Sequence, residues 1–341
     1  MTLQAVQPWL WLPGVLLIGF VLDDVLTTSL QGGEGRLTAW THRAAYAPLR
    51  LLYRLSGDRR VLDWSGSALV LVSYLMWCLL TWVGWTLIFW SQPDWLLWAD
   101  SGRAPGLADV AYYTGYTLTT LGYGDLLAQT PAARLFSTLE SLNGFFILTF
   151  TITFLAPLAD LHSHRRALAL RVYRWGPGPH ALVLRALRQH PDGAGGLLNE
   201  LEPALIQLET KHHTAMYLHR LHDSHTELDL NYALPALGDA LLLLQAVKDP
   251  PPPGNLPALY ETLSGLNWSY HLVQPRGTQP LPPLSLEPLR EAGLDVISDQ
   301  EFEEVLARES TFRRGLYDMA ERAGYDLSEV VHPRPKRHTA A

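Results

Sequence analysis

Two stretches of this chain hold residue types whose spacing could do chemistry. The first is TTLGYGD, Thr119 to Asp125. Its reactive atoms are backbone oxygens. Gly122 and Gly124 lack a Cβ and accept backbone angles that other residues resist, so successive carbonyls can turn toward one lumen. Carbonyl oxygens arranged in rings replace the hydration shell of a cation. The plainer alternative is a glycine-rich turn between two helices. The second stretch, Lys211 to Glu227, reads KHHTAMYLHRLHDSHTE. On a helix His212 and His219 share a face, His222 lies beside His219, and His225 falls on the opposite side. Zinc takes four ligands in tetrahedral geometry, so His212, His219 and His222 are the candidate metal ligands, with Asp223 or Glu227 to complete the set. Proton sensing is a second reading. Ordinary helix packing, with Met216 and Leu221 nearby, is the third and the preferred one.

The elements that must position the glycine stretch are long and apolar. Met1–Leu22, Trp64–Pro93 and Ser141–Ala159 contain no charged side chain. A membrane-spanning helix needs about 20 mostly apolar residues, so three spans are expected, at about 9–30, 66–90 and 132–158. The first is read as a retained helix rather than a signal peptide, because it lacks a basic leader and a small-residue cleavage site. All the tryptophans but Trp268 precede residue 180, and many flank the spans as an interfacial belt would. The single cysteine, Cys78, falls inside the second span and carries no information on redox compartment. A net charge of −7 argues against a nucleic-acid partner.

Basic residues set the expected orientation. Arg36, Arg43, Arg50, Arg54, Arg59 and Arg60 follow the first span, and Arg165, Arg166, Arg171 and Arg174 follow the third. Positive loops stay cytoplasmic, which puts the N-terminus outside and the C-terminal half inside. Residues 91–131 then lie outside, with both ends returning to the membrane. Leu107–Leu118 can form about three helical turns before the glycine stretch runs back out. Non-helical backbone at membrane depth survives only where protein buries it or it lines a watery path. The segment therefore reads as a re-entrant pore loop.

At this point the chain resembles the potassium channel family, in its two-transmembrane pore-loop type with an extra N-terminal helix. TTLGYGD is similar to the family's filter signature over all seven residues, with Leu121 standing where Val or Ile is more usual. The resemblance covers roughly residues 64–160. It implies K⁺ as the bound ion, held at the filter residues Thr120, Leu121, Gly122, Tyr123 and Gly124 through backbone carbonyls and the Thr120 hydroxyl. It implies Thr119, Asp125, Tyr113 and Glu140 as filter support, Tyr113 being where many relatives place an aromatic donor to the filter aspartate. Tyr116 stands where several relatives have a glutamate, which removes a carboxylate pair with Asp125. Gly144, twenty residues past Gly124, matches the family's gating hinge; close packing of a small residue is the compatible alternative. One filter signature per chain requires four subunits in a closed ring, so a homotetramer in membrane lipid is expected.

The remaining charges are read as support. Asp94 and Asp100 lie in the outer turret, and Asp109 suits the N-terminus of the pore helix. Glu140, one turn before Gly144 within the third span, needs a partner or a wet surface; pairing behind the filter is expected. Asp23 and Asp24 are expected to meet an arginine of the 31–63 loop. No apolar helix carries arginine at every third position, so a voltage sensor is not expected. After GPGPH, residues 176–180, the chain reads as helical at Gly196–Leu221, Tyr232–Val247 and 257–273, with a capping box SDQE at 298–301 opening a helix to about Ala323. The nucleotide fingerprint G-x-G-x-x-G is absent, Pro179 breaking its nearest match.

The expected fold class is an all-α membrane protein: three transmembrane helices, a re-entrant pore helix and filter, and a helical cytoplasmic domain. Its parts are an N-terminal helix (1–31), a basic cytoplasmic loop (32–63), the pore domain (64–160), the helical domain (161–331) and a disordered tail (332–341). The expected function is passive, selective K⁺ conduction across the cell membrane. No catalytic residue and no organic cofactor are expected, and the gating ligand is unread. The alternative is a membrane receptor or a metal- or pH-sensing protein with a vestigial pore.

Overall fold

The computed structural model describes residues 7–30, 35–57, 61, 65–189, 193–214, 222–249, 253–271 and 279–333. The chain divides into two compact units, Met1–Pro48 with Ser67–Leu158, and Leu49–Gly66 with Ala159–Ala341. The 32–63 segment is therefore not a loop apart: most of it is helix, and it is shared between the units.

The first unit is built on three helices long and apolar enough to cross a membrane, with candidate spans Gln7–Ser29, Ala68–Trp90 and Pro131–Ile152. The helices are α1 (Trp11–Leu30), α3 (Ser65–Trp90) and α5 (Pro131–Trp175). Between α1 and α3 comes α2 (Arg36–Ser56). With 26 residues, α3 is about 39 Å long, enough for a hydrocarbon layer of about 30 Å. Helix α5 itself runs on to Trp175.

Between α3 and α5 the chain forms β1 (Leu96–Trp98), the short helix α4 (Leu107–Leu118) and β2 (Leu126–Ala128). The strands pair antiparallel, Leu96 opposite Ala128 and Trp98 opposite Leu126. This ribbon ties together the two ends of the segment between α3 and α5. An aromatic core including Trp85, Phe89, Tyr113 and Tyr116 seats α4 against α3.

Asp24 is buried, and among the described residues its partners are backbone amides, a threonine and a tryptophan rather than the expected arginine. Among the described residues its carboxylate accepts from Leu37 N (2.8 Å), Thr38 N (3.1 Å), Thr38 Oγ1 (2.6 Å) and Trp77 Nε1 (2.9 Å). A carboxylate beside the free amides of a helix N-terminus offsets its own burial, so Asp24 caps α2. A Cβ on Gly35 would lie 2.9 Å from the Asp24 carbonyl oxygen, so only glycine lets the chain pass this close. Asp23 is exposed.

The helices of the second unit are α6 (Pro179–Gln189), α7 (Gly193–Thr214), α8 (Leu230–Gln245), α9 (Leu256–His271), α10 (Glu287–Glu291), α11 (Asp299–Arg308), α12 (Ser310–Arg322) and α13 (Ser328–Val331). Of these α7, α8 and α9 answer to expected helices with shifted bounds, residues 215–221 and 272–273 of the expectation lying outside the described residues, whereas α6, α10 and α13 were not read from the sequence. The SDQE box caps α11, with Ser298 and Glu301 bonded reciprocally, but the helix ends at Arg308 and a new one starts at Ser310. A small ribbon of β3 (Val247–Asp249) and β4 (Asp295–Val296) was not legible in the sequence. Nearly all of α8 is buried, from Leu230 to Leu244. Its one buried carboxylate inside the helix, Asp239, accepts from Arg313 Nε (2.7 Å), Arg313 Nη2 (2.9 Å) and Tyr317 Oη (2.6 Å). Burial and the neighbouring Asp239 charge hold the Tyr317 hydroxyl well above its ordinary range. Residues 334–341, most of the expected tail, lie outside the described residues.

Candidate functional site

The site is the turn between α4 and β2. Helix α4 opens with the Asp109 carboxylate accepting from Gly106 N (2.9 Å), a negative group where the helix dipole favours one. Its outer face is fixed to α3: Trp82 Nε1 donates to Ala111 O (2.8 Å), and the Thr86 and Thr114 hydroxyls are 2.8 Å apart. Its other face meets α5, where Tyr113 Oη lies 2.6 Å from Ser137 Oγ and Ser141 Oγ donates to Thr117 O (3.0 Å). Trp85 Nε1 donates to Asn143 Oδ1 (3.0 Å) and joins α3 to α5 directly.

Past Leu118 the backbone alternates in hand. Thr120, Gly122 and Gly124 have φ of +59°, +55° and +76°, and Thr120 is the only non-glycine residue with positive φ among those described. Alternating left- and right-handed residues bring successive carbonyls out on one side of the chain, the arrangement that cation coordination by backbone requires. A threonine held in the left-handed region costs energy; here Thr120 N donates to Thr117 O (3.0 Å) and Leu121 N to Tyr116 O (2.8 Å), which fix it. The Thr119 hydroxyl turns back to Gly115 O (2.9 Å). Residues Thr119–Gly124 are all exposed in the single chain, Leu121 by 63% and Tyr123 by 65%.

The support of this turn differs from expectation at two positions. The donor to Asp125 is Tyr112, with Oη 2.9 Å from Asp125 Oδ2. Tyr113 instead points at α5, because one residue is a 100° step around the helix. Tyr112 and Tyr116 are one turn apart and face the glycine turn together, the ring of Tyr123 stacking on Tyr112 and meeting Tyr116 edge-on. That spacing was the signal for Tyr112. Asp125 Oδ1 accepts from Leu126 N (3.0 Å), and Ala99 N donates to Asp125 O (2.8 Å), so the exit is pinned to the ribbon.

Glu140 is fully buried, and neither carboxylate oxygen has a hydrogen-bond partner among the described residues, so the expected pairing is not made. The polar groups between α4 and α5 are already bonded in pairs, Tyr113 with Ser137 and Ser141 with Thr117. Gly144 lies in unbroken helix and faces the end of α4: a Cβ there would fall within contact distance of the Leu118 carbonyl oxygen and 2.9 Å from its carbonyl carbon. The geometry at Gly144 is that of close packing.

Of the three candidate metal ligands only His222 is among the residues whose side chains are described. The side chain of His212 and the whole of His219 lie outside the described residues. His222 is buried, and Asn231 Nδ2 is 3.4 Å from its Nδ1. Among the described residues no three His, Cys, Asp or Glu side chains are grouped to hold a metal. Asp223 is engaged by Arg166 (2.6 Å).

Comparison with known proteins agrees with the geometry. Residues 74–159 match the family described as "Ion channel". The chain is similar to the uncharacterized membrane protein YdjJ of Bacillus subtilis (strain 168), 26% identical over 298 residues, 85% of this chain and 86% of the relative. It is also similar to two pore potassium channel c of Oryza sativa subsp. japonica, 35% identical over 74 residues, 21% of this chain and 16% of that protein. No solved structure matches. The chain is an all-α membrane protein with three candidate spanning helices and an ion channel segment within them.

Proposed function

We propose that this ion channel segment conducts K⁺ selectively and passively, through a pore formed by four copies of the chain. The observation that carries the reading is the backbone of TTLGYGD, left-handed at Thr120, Gly122 and Gly124, at the C-terminal end of a helix set between two candidate spans. Thr120, Leu121, Gly122, Tyr123 and Gly124 then line the ion path, and Thr119, Asp125 and Tyr112 hold it. The C-terminal, negative end of α4 points toward the site and favours a cation there. Four copies are needed because one chain supplies one wall of a ring, and the exposed Leu121 and Tyr123 side chains are the surfaces that neighbouring copies would cover. The arginine-rich side faces the cytoplasm, and the second unit modulates the pore.

The test is ion flux in vesicles reconstituted with the purified chain, under K⁺ or Na⁺ gradients, with Ba²⁺ as blocker. K⁺ flux in large excess over Na⁺, blocked by Ba²⁺, is expected. Equal flux of the two ions would reject the selectivity, and absence of flux would reject the pore.

A further inference from the structure

A groove within the second unit has no part in the conduction of ions. It runs between the C-terminal end of α5 and the middle of α7 and encloses about 680 Å³. Small-molecule sites commonly fall between about 300 and 1,000 Å³. Its walls include Leu168 and Arg171 on α5 and Asn199, Glu200, Pro203 and Ala204 on α7.

Three features of these walls suit a ligand. Pro203 stands inside α7, and its ring nitrogen has no hydrogen to give the carbonyl one turn back, that of Asn199. The Asn199 carbonyl thus loses its helical donor on the wall of the groove. The Asn199 side chain is oriented by Asn255, whose Nδ2 donates to Asn199 Oδ1 (2.6 Å) and to Gly195 O (3.0 Å). With its oxygen so engaged, the Asn199 amide keeps its NH₂ as a donor. Arg171 reaches across the groove, its Nη1 donating to Glu200 O (3.1 Å). A guanidinium has five N–H donors in a planar fork. The anchor uses one, and the others suit a carboxylate.

The charges select the ligand. A simple anion would meet the Glu200 carboxylate, and a simple cation would meet Arg171. A zwitterion satisfies both. The cationic anchor at Glu200 O and the acceptor at Asn199 O belong to consecutive residues, which matches an ammonium and a carboxylate borne on one carbon. Leu168, Pro203 and Ala204 offer an apolar wall beside them, and the volume leaves room for a large side chain.

We propose that the groove between α5 and α7 binds an α-amino acid with a large apolar side chain. Its carboxylate lies on Arg171 and the Asn199 amide, and its ammonium on the Asn199 carbonyl and Glu200. The inference goes beyond the conduction of ions and does not rest on it.

The test is isothermal titration of the full chain in lipid nanodiscs with L-leucine and with L-phenylalanine. Saturable binding of at least one is expected. N-acetyl-L-leucine and N-acetyl-L-phenylalanine lack the ammonium, and the two methyl esters lack the carboxylate. Each analogue should bind more weakly than its parent by about tenfold or more, the worth of a lost charged hydrogen bond. Arg171→Gln should weaken binding by a similar factor. Pro203→Ala restores an N–H to the Asn199 carbonyl, so it should weaken binding while leaving the melting temperature equal or higher, a pattern that damage to the fold would not give. Absence of saturable heat with both amino acids would overturn the proposal. So would analogues that bind as tightly as the parents, or unchanged affinity in either variant. Binding is read without ion flux, so failure of the pore reading is told apart from failure of this one.

Discussion

Replacing Gly144 by alanine tests how α5 and the proposed filter turn are joined. Two effects compete. Alanine in mid-helix gains up to about 1 kcal/mol over glycine, which would stiffen α5 at the position expected to be a hinge. Against it stands the contact with α4: the new methyl would sit 2.9 Å from the Leu118 carbonyl carbon and 3.2 Å from Leu118 Cδ1, with the carbonyl oxygen closer still. Carbon atoms prefer separations of about 3.5–4.0 Å, and the oxygen contact is the limiting one, so α4 and α5 must part by more than about 1 Å. Leu118 cannot turn aside alone, because Thr119 N and Thr120 N are bonded to Gly115 O and Thr117 O just around it. Overpacking of this kind costs about 1–3 kcal/mol, more than the helix gains. The strain falls two residues from Thr120, the first left-handed position of the filter. The expected outcome is a lower melting temperature together with a reduced K⁺/Na⁺ permeability ratio in planar bilayers. A hinge without close packing predicts the opposite pattern, an altered open probability with an intact ratio. If melting temperature and ratio both match the parent, the packing argument is wrong.

Other substitutions probe other links. Tyr112→Phe removes the donor to Asp125 and should cost about 0.5–1.5 kcal/mol of filter support, read as faster decay of K⁺ current, whereas Tyr113→Phe should act on the α4–α5 contact and on melting temperature. Glu140→Met fills the same space without a buried unbonded carboxyl, and should raise thermal stability by about 1–3 kcal/mol; a lower melting temperature would mean that Glu140 has a partner in the assembled protein. Arg313→Met strands Asp239 in the core and should cost about 3–5 kcal/mol, most of it recovered when Asp239→Leu is added, as followed by denaturant melts. His180 is held below its ordinary value of 6.5, mainly by burial, although the Ser285 carbonyl next to it pulls the other way. Its contribution is complete above pH 6.5 and is lost as the pH falls through the lowered value. Melting temperature should therefore decline on acidification below 6.5, and less steeply in His180→Gln.

The sequence alone made legible the three candidate spans, the short helix α4 and the left-handed glycine turn after it, because these follow from local rules. A charge-free run of twenty or more residues has one stable use, a left-handed backbone asks for glycine, and a capping box such as Ser298–Glu301 closes within four residues. Helices α7, α8 and α9 of the second unit were legible from their periodicity, whereas the short α6, α10 and α13 were not. What the sequence left open depended on partners far along the chain. Adjacent tyrosines at 112 and 113 look interchangeable until the phase of α4 turns one to Asp125 and the other to Ser137. Asp24 has arginines close in sequence, yet it is satisfied by amides of Leu37 and Thr38 and by Trp77, a geometry that exists only once α1, α2 and α3 are packed. Gly144 could bend a helix or admit a neighbour; the Leu118 carbonyl, at the end of another helix, decides for contact. The ribbon pairing Leu96 with Ala128 rests on hydrogen bonds across thirty residues, and strands of three residues carry too little periodicity to announce themselves.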